Sequence, residues 1–433
     1  MQQALIIFAI FLTANVVFAQ ISATANVEIR SINDMCYPKV TDIEKVDNHT
    51  IIAFSQTIIE NNTYENNFYL LVEEETIVPK VTLPNEFEVI DSYVLDNCLY
   101  FCGKYYDYPY CGGFMAKAYI PDFFTNGQFS FISFIPENIP MFSKIVAYKN
   151  NDNEMNIACL SYNHLVQYNE INAQCIIDTI LEISGCSEDY LDLIEFQDKL
   201  VVAGNYHNIA NNQCGWNLRF FDKNNIGNNI GIHRLTRNYD CHMSKIKLEK
   251  YEDANTIIVV TDQMSYNNNS NGGLSVFLVD LANHVDRYDM PTLGEYTYLW
   301  DVSFTHDGNH KNLLALTYDG GNYSSVYHFD FAAGHDVIKY RYPRRNMLTS
   351  IKMYTNDYFI TIGKLEDNGH TMFWDRRVFF REMICDTISH LDYIRSLENP
   401  MLFNGSYPSI NTIKKWEDTQ CILRNKEIDY ICR

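Results

Sequence analysis

Seven short apolar runs punctuate the chain at near-regular intervals. They are Ile51-Ile52-Ala53-Phe54, Leu99-Tyr100-Phe101-Cys102, Asn156-Ile157-Ala158-Cys159, Leu200-Val201-Val202-Ala203, Ile257-Ile258-Val259-Val260, Leu313-Leu314-Ala315-Leu316 and Phe359-Ile360-Thr361-Ile362. Each is too short for a core helix and lacks the polar alternation of a half-exposed strand. The pattern predicts strands buried on both faces. Polar turns precede them, as at Asp96-Asn97, Asp152-Asn153 and Gln197-Asp198. Asp and Asn suit such turns because they bond to nearby backbone and tolerate positive φ. Upstream of each run lies another short strand in which one polar residue stands beside apolar neighbours. Those residues are Asp42, Asp91, Lys144, Asp192, Lys245, Asp301 and Ser350, spaced 49, 53, 48, 53, 56 and 49 residues apart.

A third strand follows each apolar run, as in Trp216 to Phe221 and Ser325 to Phe331, and a weaker fourth closes most units, as in Val337 to Tyr342. Four antiparallel strands repeated at this period form the pattern of a propeller blade. The spacing resembles kelch units, whose Gly-Gly pair has counterparts at Gly112-Gly113, Gly272-Gly273 and Gly320-Gly321. Trp300-Asp301 superficially resembles the WD40 dipeptide, although it falls in the first strand of its unit and not the third. The resemblance is architectural, to exported bacterial β-propeller repeat proteins, and reaches no specific characterised family. It implies an all-β fold, a single seven-bladed β-propeller of four-stranded antiparallel blades. The propeller is expected over residues 20–387, with blades starting near 39, 87, 141, 190, 242, 297 and 347. Six or eight blades, or a pair of β-sandwiches, stay open as alternatives because the outer strands are faint.

The two ends break the repeat. Asn26 to Ile32 alternates like a strand and is expected to pair with the last unit, tying the ends together; Val378 to Ile384 competes for that place. Residues 388–433 hold no further unit and form an expected C-terminal appendage. It would contain a helical turn at Leu391 to Leu397 and a hairpin joining Cys421-Ile422-Leu423 to Tyr430-Ile431-Cys432. Residues 1–19 have the form of a secretory signal, with an apolar run from Ala4 to Phe18 and a cut expected at Gln20. That run is short for a spanning helix and no later stretch is long enough. The mature chain is therefore expected not to span a membrane, and to be secreted, periplasmic or on the cell surface.

Composition adds material and sign. Apolar residues make up 47% and aromatic residues 14%, with 31 Tyr and 26 Phe, which favour strands. The formal charge of −21 excludes nucleic acid as a natural partner, since little here would neutralise phosphates. Twelve Cys agree with an oxidising compartment. Disulfide candidates are Cys102 with Cys111 across an expected hairpin turn, Cys214 with Cys241, and Cys421 with Cys432. Cys175 with Cys186 and Cys36 with Cys385 are further possible pairs. Cys98 and Cys102, four apart, share one face of a strand and are expected to serve packing.

Candidate chemistry is thin. Innermost strands of a propeller line its channel, so Asp42, Asp91, Lys144, Asp192, Lys245 and Asp301, with Ser350, would form a polar ring. Convergent carboxylates suit a cation or a polar ligand, and paired carboxylates can cleave a sugar. A wet channel also tolerates such charges when Asp and Lys neutralise one another. A second candidate is the aromatic loop containing Tyr106, Tyr108 and Tyr110, since Tyr offers flat apolar area with a polar tip. No dinucleotide fingerprint, nucleophile elbow, phosphate loop or metal-ligand spacing occurs, so no catalytic residue, metal or cofactor is assigned. The sequence favours a non-catalytic secreted or surface binding or scaffold protein of unknown ligand, with a protein or glycan as partner. The alternative is a secreted polysaccharide hydrolase or lyase using channel-mouth carboxylates. Acids each paired with a lysine in a closed channel would count against that alternative.

Overall fold

The structure is a computed structural model. It describes the strands and most connections between residues 26 and 378, together with 421–424 and 429–432, and side chains chiefly between 81 and 353. Residues 1–19 and the Leu391 to Leu397 stretch lie outside the described residues.

The chain is an all-β propeller with antiparallel blades. The first blade pairs Phe87–Leu95, Cys98–Asp107, Tyr110–Tyr119 and Ser130–Phe134 in order. The second runs Lys144–Lys149, Met155–Ser161, His164–Asn169, Gln174–Thr179. The third runs Cys186–Phe196, Lys199–Asn208, Gln213–Asp222, Asn225–Arg237. The fourth runs Ile246–Lys250, Thr256–Ser265, Gly273–Asp280, Val285–Met290, and Cys241–His242 adds a fifth strand to Thr256–Ser265. The fifth runs Thr297–His306, Lys311–Asp319, Tyr323–Asp330, Val337–Arg341.

This corrects the expected blade count: among the described residues five blades are supported, not seven, and one of the five is not four-stranded. The period marks quartets of strands; five of them carry a described side-chain core, and the two at the ends are described chiefly as backbone ladders. The end segments form antiparallel ladders whose side chains lie largely outside the described residues. One of these ladders is closed by the N-terminal strand, as expected: Asn26–Arg30 pairs with Thr371–Val378, with Asn26 opposite Asp375. The terminal hairpin is also present, pairing Cys421–Arg424 with Asp429–Cys432.

The core lies between blades. Along Leu200 to Ala203, Leu200 and Val202 pack toward the second blade, while Val201 and Ala203 pack toward the fourth. In the next apolar run Ile257 and Val259 face the third blade, and Ile258 and Val260 the fifth. All eight are fully buried. This is why the runs show no polar alternation: the pleat sends successive side chains to two different interfaces, both dry. The turns behave as their residues predict, with positive φ at Asp96 (50°), Asn97 (60°), Asn153 (63°) and Gln197 (58°). One element has no signal in the strand pattern, a short helix α1 (Ile120–Asn126) between the last two strands of the first blade. Pro121 starts it, Gly127 ends it in the left-handed conformation, and Phe123 packs edge-on against Phe68.

Candidate functional site

The inner strands of the first, third and fifth blades share a backbone device. Register slips by one residue between Val89 and Asp91, between Tyr190 and Asp192, and between Leu299 and Asp301. The same slip precedes Asp42 and Ser350 in the end ladders. Such a bulge sharpens the local twist and re-aims the side chain that follows it. In the first blade the slip brings two backbones so close that a Cβ on Gly103, opposite Val89, would collide with the Glu88 carbonyl oxygen.

The re-aimed carboxylates reach neighbouring inner strands. Asp91 Oδ2 accepts the Ile145 N–H at 2.8 Å, Asp192 Oδ2 the Leu248 N–H at 2.7 Å, and Asp301 Oδ2 the Ile351 N–H at 3.0 Å. The residue just before each donor supplies, in two of the three cases, a direct partner to the same acid. Lys144 Nζ lies 2.8 Å from Asp91 Oδ1, and Ser350 Oγ donates to Asp301 Oδ2 at 2.9 Å. The lysines also bridge to the acid on the other side: Lys144 Nζ is 3.8 Å from Asp192 Oδ1, and Lys247 Nζ 3.3 Å from Asp301 Oδ1. Asp91 and Asp192 are buried. Ion pairs removed from water lose solvation, which further hydrogen bonds must offset, and the backbone N–H groups supply them. Each of these three acids thus holds a neighbouring strand and meets a lysine, so the ring acts as a clamp between blades.

The ring differs from its expected membership at one point. Lys247, not Lys245, meets Asp301; Lys245 is exposed, donates its backbone N–H to Asp262 at 2.9 Å and places Nζ 5.9 Å from the Trp300 ring centre. Both lysines precede an apolar residue, and a two-residue slip keeps a strand's faces unchanged, so alternation alone cannot separate them. Two residues beyond Lys247 on the same face stands Glu249, which the repeat alignment did not single out. Burial raises its pKa to about 7; Lys352 and Lys247 oppose the rise, and Asp301 and Asp192 add to it. The side chain of Asp42 lies outside the described residues.

The aromatic loop forms a second cluster at the rim between the first and second blades. Tyr106 is 44% exposed and its hydroxyl reaches Glu88 Oε2 at 3.5 Å. Tyr162, in the turn after Met155–Ser161, is 59% exposed and directs its hydroxyl to Met141 Sδ at 3.9 Å. Phe142, next to Met141, donates its N–H to the Gly103 carbonyl at 3.1 Å, which fixes this segment against the first blade. Lys104 lies among Tyr106, Glu88 and Tyr162; burial works against its charge, but Tyr106 and Glu88 outweigh it and raise its pKa. Tyr162 has φ of 45°, a left-handed conformation unusual for a bulky residue. No sequence pattern marked Tyr162, because its neighbours Met141 and Lys104 come from other segments of the chain. The side chains of Tyr108 and Tyr110 lie outside the described residues.

The expected Cys102–Cys111 disulfide is not formed. Cys102 is buried opposite Met115, Cys111 is exposed opposite Tyr106, and both are free thiols, as are Cys98, Cys159 and Cys175. Hairpin register separates the first pair, since their levels lie four residues apart along one strand. Cys421 and Cys432 stand directly opposite in the terminal hairpin, whereas Cys214 and Cys241 pair with His207 and Ser265 on other strands. Cys98 packs with Cys102 in the same interface, as their spacing predicts.

No protein-family model and no curated protein matches this sequence. Solved structures with a similar course include the β-propeller domain of the Trilobed protease from Pyrococcus furiosus, at 9% identity over 81% of this chain and 99% of that one, with a TM-score of 0.49. Drosophila Plexin A in complex with Semaphorin 1b matches at 8% identity over 85% and 89%, with a TM-score of 0.47. The GH93 alpha-L-arabinofuranosidase of Fusarium graminearum with arabinobiose matches at 11% identity over 68% and 95%, with a TM-score of 0.44. Likenesses of this order do not bear on ligand or chemistry. Among the described residues no helix is long and apolar enough to cross a membrane.

Proposed function

We propose that this chain is a non-catalytic binding or scaffold propeller, exported to the cell surface or beyond, that takes a glycan or protein ligand at the rim between its first two described blades. The observation that carries this reading is the placement of Tyr106 and Tyr162, both exposed, around Lys104. Exposed tyrosines offer rigid apolar faces at low entropic cost, and a nearby lysine adds a directional donor. The engagement of Asp91, Asp192 and Asp301 by backbone and lysine supports the non-catalytic half, because an acid–base pair must present a carboxylate to substrate.

A glycan array and a surface-protein binding screen on the mature chain test it. The Tyr106→Ala and Tyr162→Ala variants are expected to lose at least about tenfold in affinity for any ligand found, a cost of the size stacking contacts make. Undiminished binding by the double variant would reject the rim. Release of sugar from a polysaccharide, abolished in an Asp192→Asn, Asp301→Asn variant that still folds, would restore the hydrolase reading.

A further inference from the structure

The interface that carries the rim also gathers several sulfur side chains. Tyr100 and Cys102 face it from the first blade, while Ile157 and Cys159 face it from the second. Both cysteines are fully buried, and Met115 joins them from the neighbouring strand. Register fixes their level: Cys102 stands opposite Asp91, Cys159 stands opposite Ile145, and Asp91 Oδ2 holds the Ile145 N–H at 2.8 Å. The clamp that joins the inner strands therefore sets the next strands' two thiols at the same depth of one dry interface.

We propose that Cys102 and Cys159 form a disulfide that links the first and second described blades covalently. The bond joins the two Sγ atoms. Each thiol loses its proton, and the two electrons reduce an external disulfide, such as oxidised glutathione, to two thiols. Burial, with the Cys159 thiol beside it, holds Cys102 well above the usual thiol pKa, so little thiolate exists once the interface is closed. The exchange belongs to folding, before the blades dock, and the finished bond is sheltered from reductant. Cys175, exposed, and Cys111, exposed, lack this shelter.

The mature chain is refolded in glutathione buffer at an oxidising ratio, blocked with iodoacetamide in acid-quenched denaturant, and digested without reductant for mass mapping. The expected product is a peptide linked through Cys102 and Cys159, present in most molecules and absent when the buffer is reducing. Its melting midpoint should exceed that of the chain folded under reducing conditions, and Cys102→Ser and Cys159→Ser should each remove the difference. Mapping the unsubstituted chain decides the matter even if both variants fail to fold. Recovery of Cys102 and Cys159 as separate blocked thiols, or of Cys159 joined to Cys175 or Cys98, overturns the proposal.

Discussion

The inner ring and the blade rim use the same kinds of polar side chain for opposite ends. At the ring, Asp91, Asp192 and Asp301 are drawn to a neighbouring strand and to Lys144, Lys247 or Ser350. At the rim, Tyr106 and Tyr162 keep large faces in solvent beside Lys104. A charge aligned by repeat is thus first a candidate for holding the repeat together. A side chain that departs from the repeat, as the tyrosines do, is the better sign of a ligand. Removal of a ring acid tests the clamp most directly. Asp91→Ala leaves Lys144 with weaker pairing and the buried Ile145 N–H without its acceptor. A loss of about 3–5 kcal/mol in urea unfolding is expected. Asp91→Asn keeps an acceptor and should cost less, about 1–3 kcal/mol. If Asp91→Ala unfolds like the parent chain, the ring is not a clamp and its acids return to consideration as ligand groups.

Glu249 tests the same region by pH. Its folded pKa of about 7 stands above the ordinary glutamate value of 4.5. The folded state therefore binds the proton more tightly than the unfolded state between those values. The group's contribution to stability is fully present below the lower one, falls as pH rises through the window, and levels off above 7. Glu249→Gln should flatten that fall, gaining up to about 3 kcal/mol relative to the parent at pH 8 over pH 4. Parallel pH profiles for the two chains would show that burial does not govern this carboxyl.

How much of this was legible in the sequence varies by element. The apolar runs were, because a doubly buried strand needs nothing but apolar residues, and Leu200 to Ala203 serve two interfaces as their pattern demands. The turns were, through Asp96, Asn97 and Asn153. Blade number was not, since a seven-fold period predicted seven blades where five are supported among the described residues. The bulges were not, since a single extra residue shifts pairing without altering composition. Lys247 was hidden behind Lys245 by the two-residue ambiguity of strands. Tyr162 and Cys159 gained their roles from partners contributed by the first blade, and no local pattern carries that.

Gly103 joins the two regions and should give the next largest effect. It faces the bulge that aims Asp91, and its carbonyl accepts the Phe142 N–H that pins the rim. An added Cβ would collide with the Glu88 carbonyl, which belongs to backbone and cannot swing aside. Gly103→Ala is expected to cost about 1–3 kcal/mol by denaturant unfolding. It should also weaken any rim ligand, although no contacting side chain changes. Normal stability and normal binding together would mean that ring and rim are not coupled through this strand.

The smallest effect is the most informative about the rim. Tyr162 is held at a φ of 45°, where Asn is tolerated and a bulky aromatic residue is strained. If the turn alone set the residue, Tyr162→Asn would be an improvement at no loss. The expected outcome is a split: stability rises by up to about 1 kcal/mol as the strain is relieved, while affinity for a rim ligand falls. Strain retained at an exposed position is explained when the side chain serves contact with something outside the chain. A rise in stability with unchanged binding would leave the conformation of Tyr162 to the turn and remove the strongest reason for placing a ligand there.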